Sequence, residues 1–224
     1  RHTRLQGDWS SDVCSSDLAT TLSAADRNLT ASTVNFGDTI TGTGSHDLTI
    51  TGALDLDGAL TSVVELTVTS TSNLGASVTT TGTQAYQGAV TVSTDVTLTT
   101  TDSNVDFDST VNAGTAGDAL TIAAGTGNVT FDNAIGGSTA LGNITITTST
   151  LTAAAMTVQG GISITNTSAS SITGVIGDGA SAASLTKAGS AALTLTATNT
   201  YTGTTTINAG TLVDRKSTRL NSSH

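Results

Sequence analysis

Along most of the chain, apolar residues come in short alternating pairs. Examples are Leu48/Ile50, Leu66/Val68, Val90/Val92, Val96/Leu98, Leu120/Ile122, Ile144/Ile146, Ile162/Ile164 and Leu193/Leu195. A period of two sends neighbouring side chains to opposite faces of a strand. Ile144 is therefore expected to point inward, and the Thr residues between the pairs outward onto a pleated, half-solvated surface. Gly, Asn and Asp gather between the pairs, as in AGTAGD (113–118) and GDGAS (177–181), and read as turns. No apolar stripe at helical spacing extends beyond about two turns.

The pattern repeats on a longer scale. VNFGDTI (34–40), QAYQGAV (84–90), VDFDSTV (105–111) and VTFDNAI (129–135) each carry an aromatic followed four residues later by an aliphatic. The pairs are Phe36/Ile40, Tyr86/Val90, Phe107/Val111 and Phe131/Ile135, and the fifth aromatic of this region is Tyr201 in NTYTGTTTINAG. Spacings of 50, 21, 24 and 70 residues fit multiples of a period of roughly 21–25, or about eight repeats. Short strands with Gly/Asn/Asp corners at that period predict an all-β parallel β-helix (solenoid), in which stacked coils share one apolar column. The four aromatics should then hold equivalent positions. An antiparallel β-sandwich is the main rival, and it accounts less well for the period.

Composition narrows the function. The chain has 224 residues, no Pro, 24 Gly, 3% aromatics, 11% charged residues and a formal net charge of -10. So acidic a chain disfavours nucleic acid and anionic membrane surfaces. No apolar run approaches the length of a membrane helix, and no secretory leader pattern is visible at the start.

The two ends differ from the middle. GDWSSDVCSSDL (7–18) and DRKSTRLNSSH (214–224) hold the only Trp, the only Cys and most of the basic residues. Back-translation makes them opposite strands of one oligonucleotide, which resembles a short-read sequencing-library adapter; Arg1–Arg4 resembles its outer arm. Residues 1–18 and 214–224 are accordingly expected to be translated adapter outside the regular coils, with 19–213 an internal piece of a longer metagenomic reading frame. Within 19–213 two basic residues, Arg27 and Lys187, face 13 acidic ones, a formal -11. Cys14 is then given no nucleophilic or redox role.

Little catalytic chemistry remains. Asp55/Asp57 and Asp106/Asp108 set two carboxylates on one strand face, as a glycosidase pair requires. The alternation LDLD and VDFD reads more simply as solvated Asp between inward Leu or Phe. Asp106, Asp108 and a neighbouring coil form a weak calcium candidate, whereas Asp178 lacks the tandem copies of a calcium-binding nonapeptide array. His46 has no partner for a zinc site or a Ser-His-Asp triad, and Lys187 and Arg27 make no basic patch. No residue is assigned a catalytic, cofactor-binding or metal-binding role.

The segment SLTKAGSAALTLTATNTYTGTTTINAGTLV (184–213) resembles the autotransporter-associated β-strand repeat. The resemblance rests on Leu185, Lys187, Gly189, Leu193, Leu195, Asn199, Tyr201, Gly203, Thr205, Ile207, Gly210 and Leu212; Ala191 replaces a second Gly and one residue is inserted. Residues 80–145 are similar to repeats of filamentous-haemagglutinin-like surface proteins. The resemblance implies a right-handed β-helix stalk of a type V-secreted adhesin passenger, at the bacterial cell surface, outer membrane or secreted. It also implies an outer-membrane translocator barrel elsewhere in the full-length protein, and an unidentified surface ligand on a host, a glycan or a neighbouring cell. A carbohydrate-active β-helix enzyme (lyase or hydrolase) and a phage tail-spike rod are the alternatives. The enzyme would gather Asp55, Asp57, His46 and Lys187 in one cleft, and the rod would carry apolar outer faces.

Overall fold

The computed structural model describes residues 3–5, 9–16, 18–22 and 25–215, with the backbone alone at 3–5 and 9–16. Its strands are short and pair in parallel with the equivalent strand of the next coil, as in Leu120↔Ile144 and Val105↔Val129. The result is an all-β parallel solenoid of about ten turns. The β-sandwich is excluded by the same pairing.

Each coil has three walls. One coil runs through Val96–Thr99 on the first wall, Val105–Phe107 on the second and Val111–Ala113 on the third, then returns to the first wall at Leu120–Ala123. The first wall is an 11-stranded sheet. The second and third walls join in a 14-stranded sheet because Leu48–Leu56 is long enough to belong to both. Farther along, the third wall continues through the bridges at Ile135 into Met156–Val158 and Ile176–Asp178.

The alternation predicted the inside. Leu98, Ile122, Ile146 and Ile164 stack in register and are fully buried, while the Thr residues beside them are not. Ile144 is fully buried, as expected. Apolar burial contributes about 25 cal/mol per Å², and no single coil buries enough to stand alone. Stability therefore lies in the columns.

Two expectations need correction. The coils number about ten and not eight, because several are shorter than 21 residues: Leu48 pairs Leu66 and Ile144 pairs Ile162, steps of 18. The longest steps on the first wall are 24 residues, at Val96↔Leu120 and Leu120↔Ile144. The extra residues go into turns, which tolerate insertion at small entropic cost. Second, Tyr86, Phe107 and Phe131 do share one column on the second wall, but Phe36 does not. Phe36 pairs Leu56 and then Leu74, one corner further on. Counting it with the others inflated the period. Tyr201 is half-buried and lies outside that column.

Most of the polar interior gathers at one corner, with Ser72 and Thr20 buried elsewhere. Thr80, Thr100, Thr148 and Asn166 are buried where the first wall turns into the second. Each side chain donates to a carbonyl of its own turn: Thr80 Oγ1 to Gly82 O (2.7 Å), Thr100 Oγ1 to Ser103 O (2.5 Å), Thr148 Oγ1 to Thr150 O (3.0 Å) and Asn166 Nδ2 to Ser168 O (2.7 Å). A buried carbonyl without a donor would cost about 1–3 kcal/mol, so the hydroxyl column holds the corner. Gln84 extends this network. Its Nε2 donates to Thr80 Oγ1 and Thr99 O, and its Oε1 accepts from the Tyr86 hydroxyl.

The beginning of the chain departs from expectation. Thr3–Leu5 pairs in parallel with Thr20–Leu22, and Trp9–Ser16 with Arg27–Phe36, so this stretch continues the coils. An open parallel edge offers a row of unpaired N–H and C=O groups to any extended segment. This pairing counts against the expectation that residues 1–18 stand outside the coils, and the adapter reading of this end rests on the codons alone. At the other end Thr211–Asp214 is the last strand, paired with Ala192–Leu195, and residues 216–224 lie outside the described residues.

Candidate functional site

The acidic pairs lie on the outside. Asp55 sits between the buried Leu54 and Leu56, and Asp106 between the buried Val105 and Phe107, with Asp57 and Asp108 exposed at the strand ends. Asp55 is spent on an amide ladder: Asn35 Nδ2 donates to its Oδ2 (2.6 Å) and Asn73 Nδ2 to its Oδ1 (2.8 Å). Asp106 faces Thr130 across the coils. Partial burial pushes its carboxyl above the ordinary carboxylate range; the Thr130 hydrogen bond opposes this, and Asp108 and Asp132 reinforce it. Among the described residues, no group of three or more His, Cys, Asp or Glu is arranged to hold a metal ion.

The residues required for the enzyme alternative are dispersed. His46 Nδ1 lies 3.8 Å from Asp26 Oδ1, near the first coils. Lys187 is inside the solenoid near its other end, fully buried. It occupies the aliphatic column directly after Ile164 and before Ile207. Asp55, Asp57, His46 and Lys187 therefore form no common cleft.

Lys187 was legible only as an isolated cation; its place in the core was not. The hydroxyl corner ends there, because the residue after Asn166 in that column is Gly189, at φ +79°. A Cβ at 189 would run into the Asn166 carbonyl, so no side chain can serve that corner from within. The Lys187 ammonium serves it instead. It donates to Ala188 O, to Gly189 O (3.0 Å) and to Ala209 O of the following coil (3.4 Å). Three donors meet three carbonyls, although burial still pushes the amine below its ordinary range.

The other motif residues of 184–213 also tie the last coils. Asn199 Oδ1 accepts from Ile176 N (2.9 Å), and Asn199 Nδ2 donates to Ala197 O (3.2 Å). Tyr201 packs against the core, with its hydroxyl 2.7 Å from Thr205 Oγ1. Gly203 N donates to Ala183 O (2.9 Å), and the Ala183 carbonyl sits where a Cβ at 203 would go. Asp178 accepts from Ala183 N (2.7 Å), Thr202 N (3.0 Å) and Thr202 Oγ1 (2.7 Å). These bonds, the Thr202 hydroxyl first, hold its carboxyl below the usual range. Lys187, Gly189, Asn199, Tyr201 and Gly203 thus have structural duties within and between the last coils.

The model of the passenger-associated-transport-repeat family matches residues 185–213. No curated protein and no solved structure matches the chain. The match and the solenoid together fit an autotransporter passenger repeat.

Proposed function

We propose that residues 19–213 are a shaft segment of the exported passenger of a bacterial surface adhesin, and that the shaft is not catalytic. The observation that carries this reading is the fit of the matched segment into the fold. Lys187, Asn199, Tyr201 and Gly203 close coil upon coil, so the transport-associated repeat is spent on continuing a rod. A solenoid adds length by repetition, with each coil contacting its neighbours, which is what holding a binding region away from a cell requires. The ligand-binding region and the translocator barrel belong to other parts of the full-length protein, and residues 1–18 and 214–224 are read as translated adapter.

The alternatives find less support. A lyase or hydrolase needs clustered acid and base groups, and Lys187 is buried near the opposite end of the solenoid from His46, Asp55 and Asp57. A trimeric tail-spike rod would bury apolar outer faces between chains. Among the described residues, the exposed large apolar side chains are Leu18, Val175 and Ile207, which make no continuous stripe.

The test is display. Residues 19–213 are placed between a secretion leader and an autotransporter translocator barrel, and intact cells are treated with external protease. The reading expects the segment on the outer surface and removable by protease. Retention in the periplasm, with a barrel that displays its own passenger normally, would refute it.

A further inference from the structure

The outer face of the first wall differs from the rest of the molecule. One column of outward side chains runs Thr97, Thr121, Thr145, Ser163, Thr186 and Thr206, in unbroken register over six coils. A second column beside it runs Thr79, Thr99, Ala123, Thr147, Thr165 and Ala188, so a small Ala interrupts the Thr residues once and ends them. The hydroxyls therefore form a two-dimensional array. Its repeat is about 4.8 Å along the solenoid and roughly 6.7 Å along each strand, two residues of rise.

One further observation separates this array from the other walls, and a second, shared with outward Thr49, Thr67 and Thr152, leaves it open to a ligand. First, it is uncharged. The strands of the first wall contain no Asp or Glu, and its one described Lys points inward. All 13 carboxylates of residues 19–213 lie on the other walls or in the turns. Second, its hydroxyls are unspent. Thr80, Thr100, Thr148, Thr173, Thr196 and Thr202 all donate to protein acceptors. Among the described residues, no hydrogen bond engages the hydroxyls of Thr97, Thr121, Thr145, Thr147, Thr165 or Thr186.

We infer that this wall is a binding face for ice. A charged ligand would meet neither charge nor counter-charge here, so the partner is neutral. A flexible chain gains little from a rigid lattice of identical groups, so the partner is itself periodic. Hexagonal ice offers hydroxyl-like donors and acceptors at repeats close to both spacings of the array. β-branched Thr is held in few rotamers, so its methyl groups and hydroxyls present a fixed pattern. Water ordered between the methyls and bonded to the hydroxyls becomes continuous with the crystal. The inference is independent of the export route proposed above; on an exported shaft it would fix a cell to an ice surface.

The experiment is partition into a slowly grown ice hemisphere, using the full 224-residue chain. The unaltered chain is expected in the ice near its solution concentration, while a non-binding protein of similar mass is excluded. The double variant Thr121→Lys/Thr145→Lys, with circular dichroism as the folding check, is expected to fall to the level of that control. Thr121→Ala/Thr145→Ala is expected to fall in the same direction, and Ala already occupies outward positions 123 and 188. Thr152→Lys, an exposed residue of the second wall, should leave partition unchanged. Exclusion of the unaltered chain would overturn the inference, and so would a Thr152→Lys loss as large as that of the double variant.

Discussion

Replacing Phe107 by Ala tests how the coils are coupled. Its ring lies between Tyr86 (centroids 5.2 Å, planes 11° apart) and Phe131 (4.6 Å, 2°). Phe36 is equally buried, each being 1% exposed, but stands in another column over Leu56. Truncating either ring forfeits burial and leaves a cavity, a loss of about 3–5 kcal/mol. Stacked aromatic pairs add roughly 0.5–1.5 kcal/mol each beyond area, and Phe107 loses two such pairs. Phe107→Ala should therefore cost about 1–3 kcal/mol more than Phe36→Ala. Urea unfolding followed by circular dichroism gives both losses by linear extrapolation. Hydrogen exchange should locate the added loss in the coils on either side, since coupling in a solenoid is between neighbours. A Phe36→Ala loss equal to or larger than that of Phe107→Ala would refute the stacking argument.

Further outcomes follow from the buried and bonded polar groups. Lys187→Met leaves the carbonyls of Ala188, Gly189 and Ala209 without their shared donor; it should destabilise the last coil by about 1–3 kcal/mol and speed amide exchange at 205–214, whereas unchanged exchange would show that the ammonium does not hold that coil. Asp178 has a depressed pKa, so its stabilising contribution is full above the ordinary Asp value near 3.9 and is lost as pH falls through the folded-state value. Asp178→Ala should thus be less stable than the parent at pH 7, with the gap closing in acid; a pH-independent gap would contradict this. Asp106 runs the other way. Its raised pKa makes the ionised form a liability above the folded-state value, relieved as pH falls toward the ordinary value. Asp106→Asn should match or exceed the parent at neutral pH in the same urea assay and lose that advantage on acidification; a clear loss at neutral pH would refute it.

The fold class was legible because inward Leu, Ile and Val alternate with outward Thr so regularly. The coil length was less so: Phe36 looks like Tyr86 in its local pattern yet lies one corner away, and turns of variable length hide the register. The hydroxyl corner was illegible for a different reason. Alternation from Val96 and Leu98 puts Thr100 on the inward face and Thr97 on the outward one, but nothing in the pattern shows the turn carbonyl that receives the buried hydroxyl. Lys187 could have been found by aligning coils, since it falls where its neighbours hold Ile146 and Ile164. The pairs Asp55/Asp57 and Asp106/Asp108 were read correctly as outward, because alternation with buried Leu and Phe leaves them no other face. What sequence pattern alone misses here is which of many similar Thr residues are already bonded.

The central claim is one unbroken parallel shaft, and a single distance tests it. Thr97 and Thr206 are 109 residues apart in sequence but lie in one column, five coils apart. With about 4.8 Å per coil, spin labels at Thr97→Cys and Thr206→Cys, in a Cys14→Ser background, should give one narrow distribution. Its centre should fall near 24 Å, about five such steps, allowing for the label arms. A broad distribution, or a centre far from that value, would contradict the shaft.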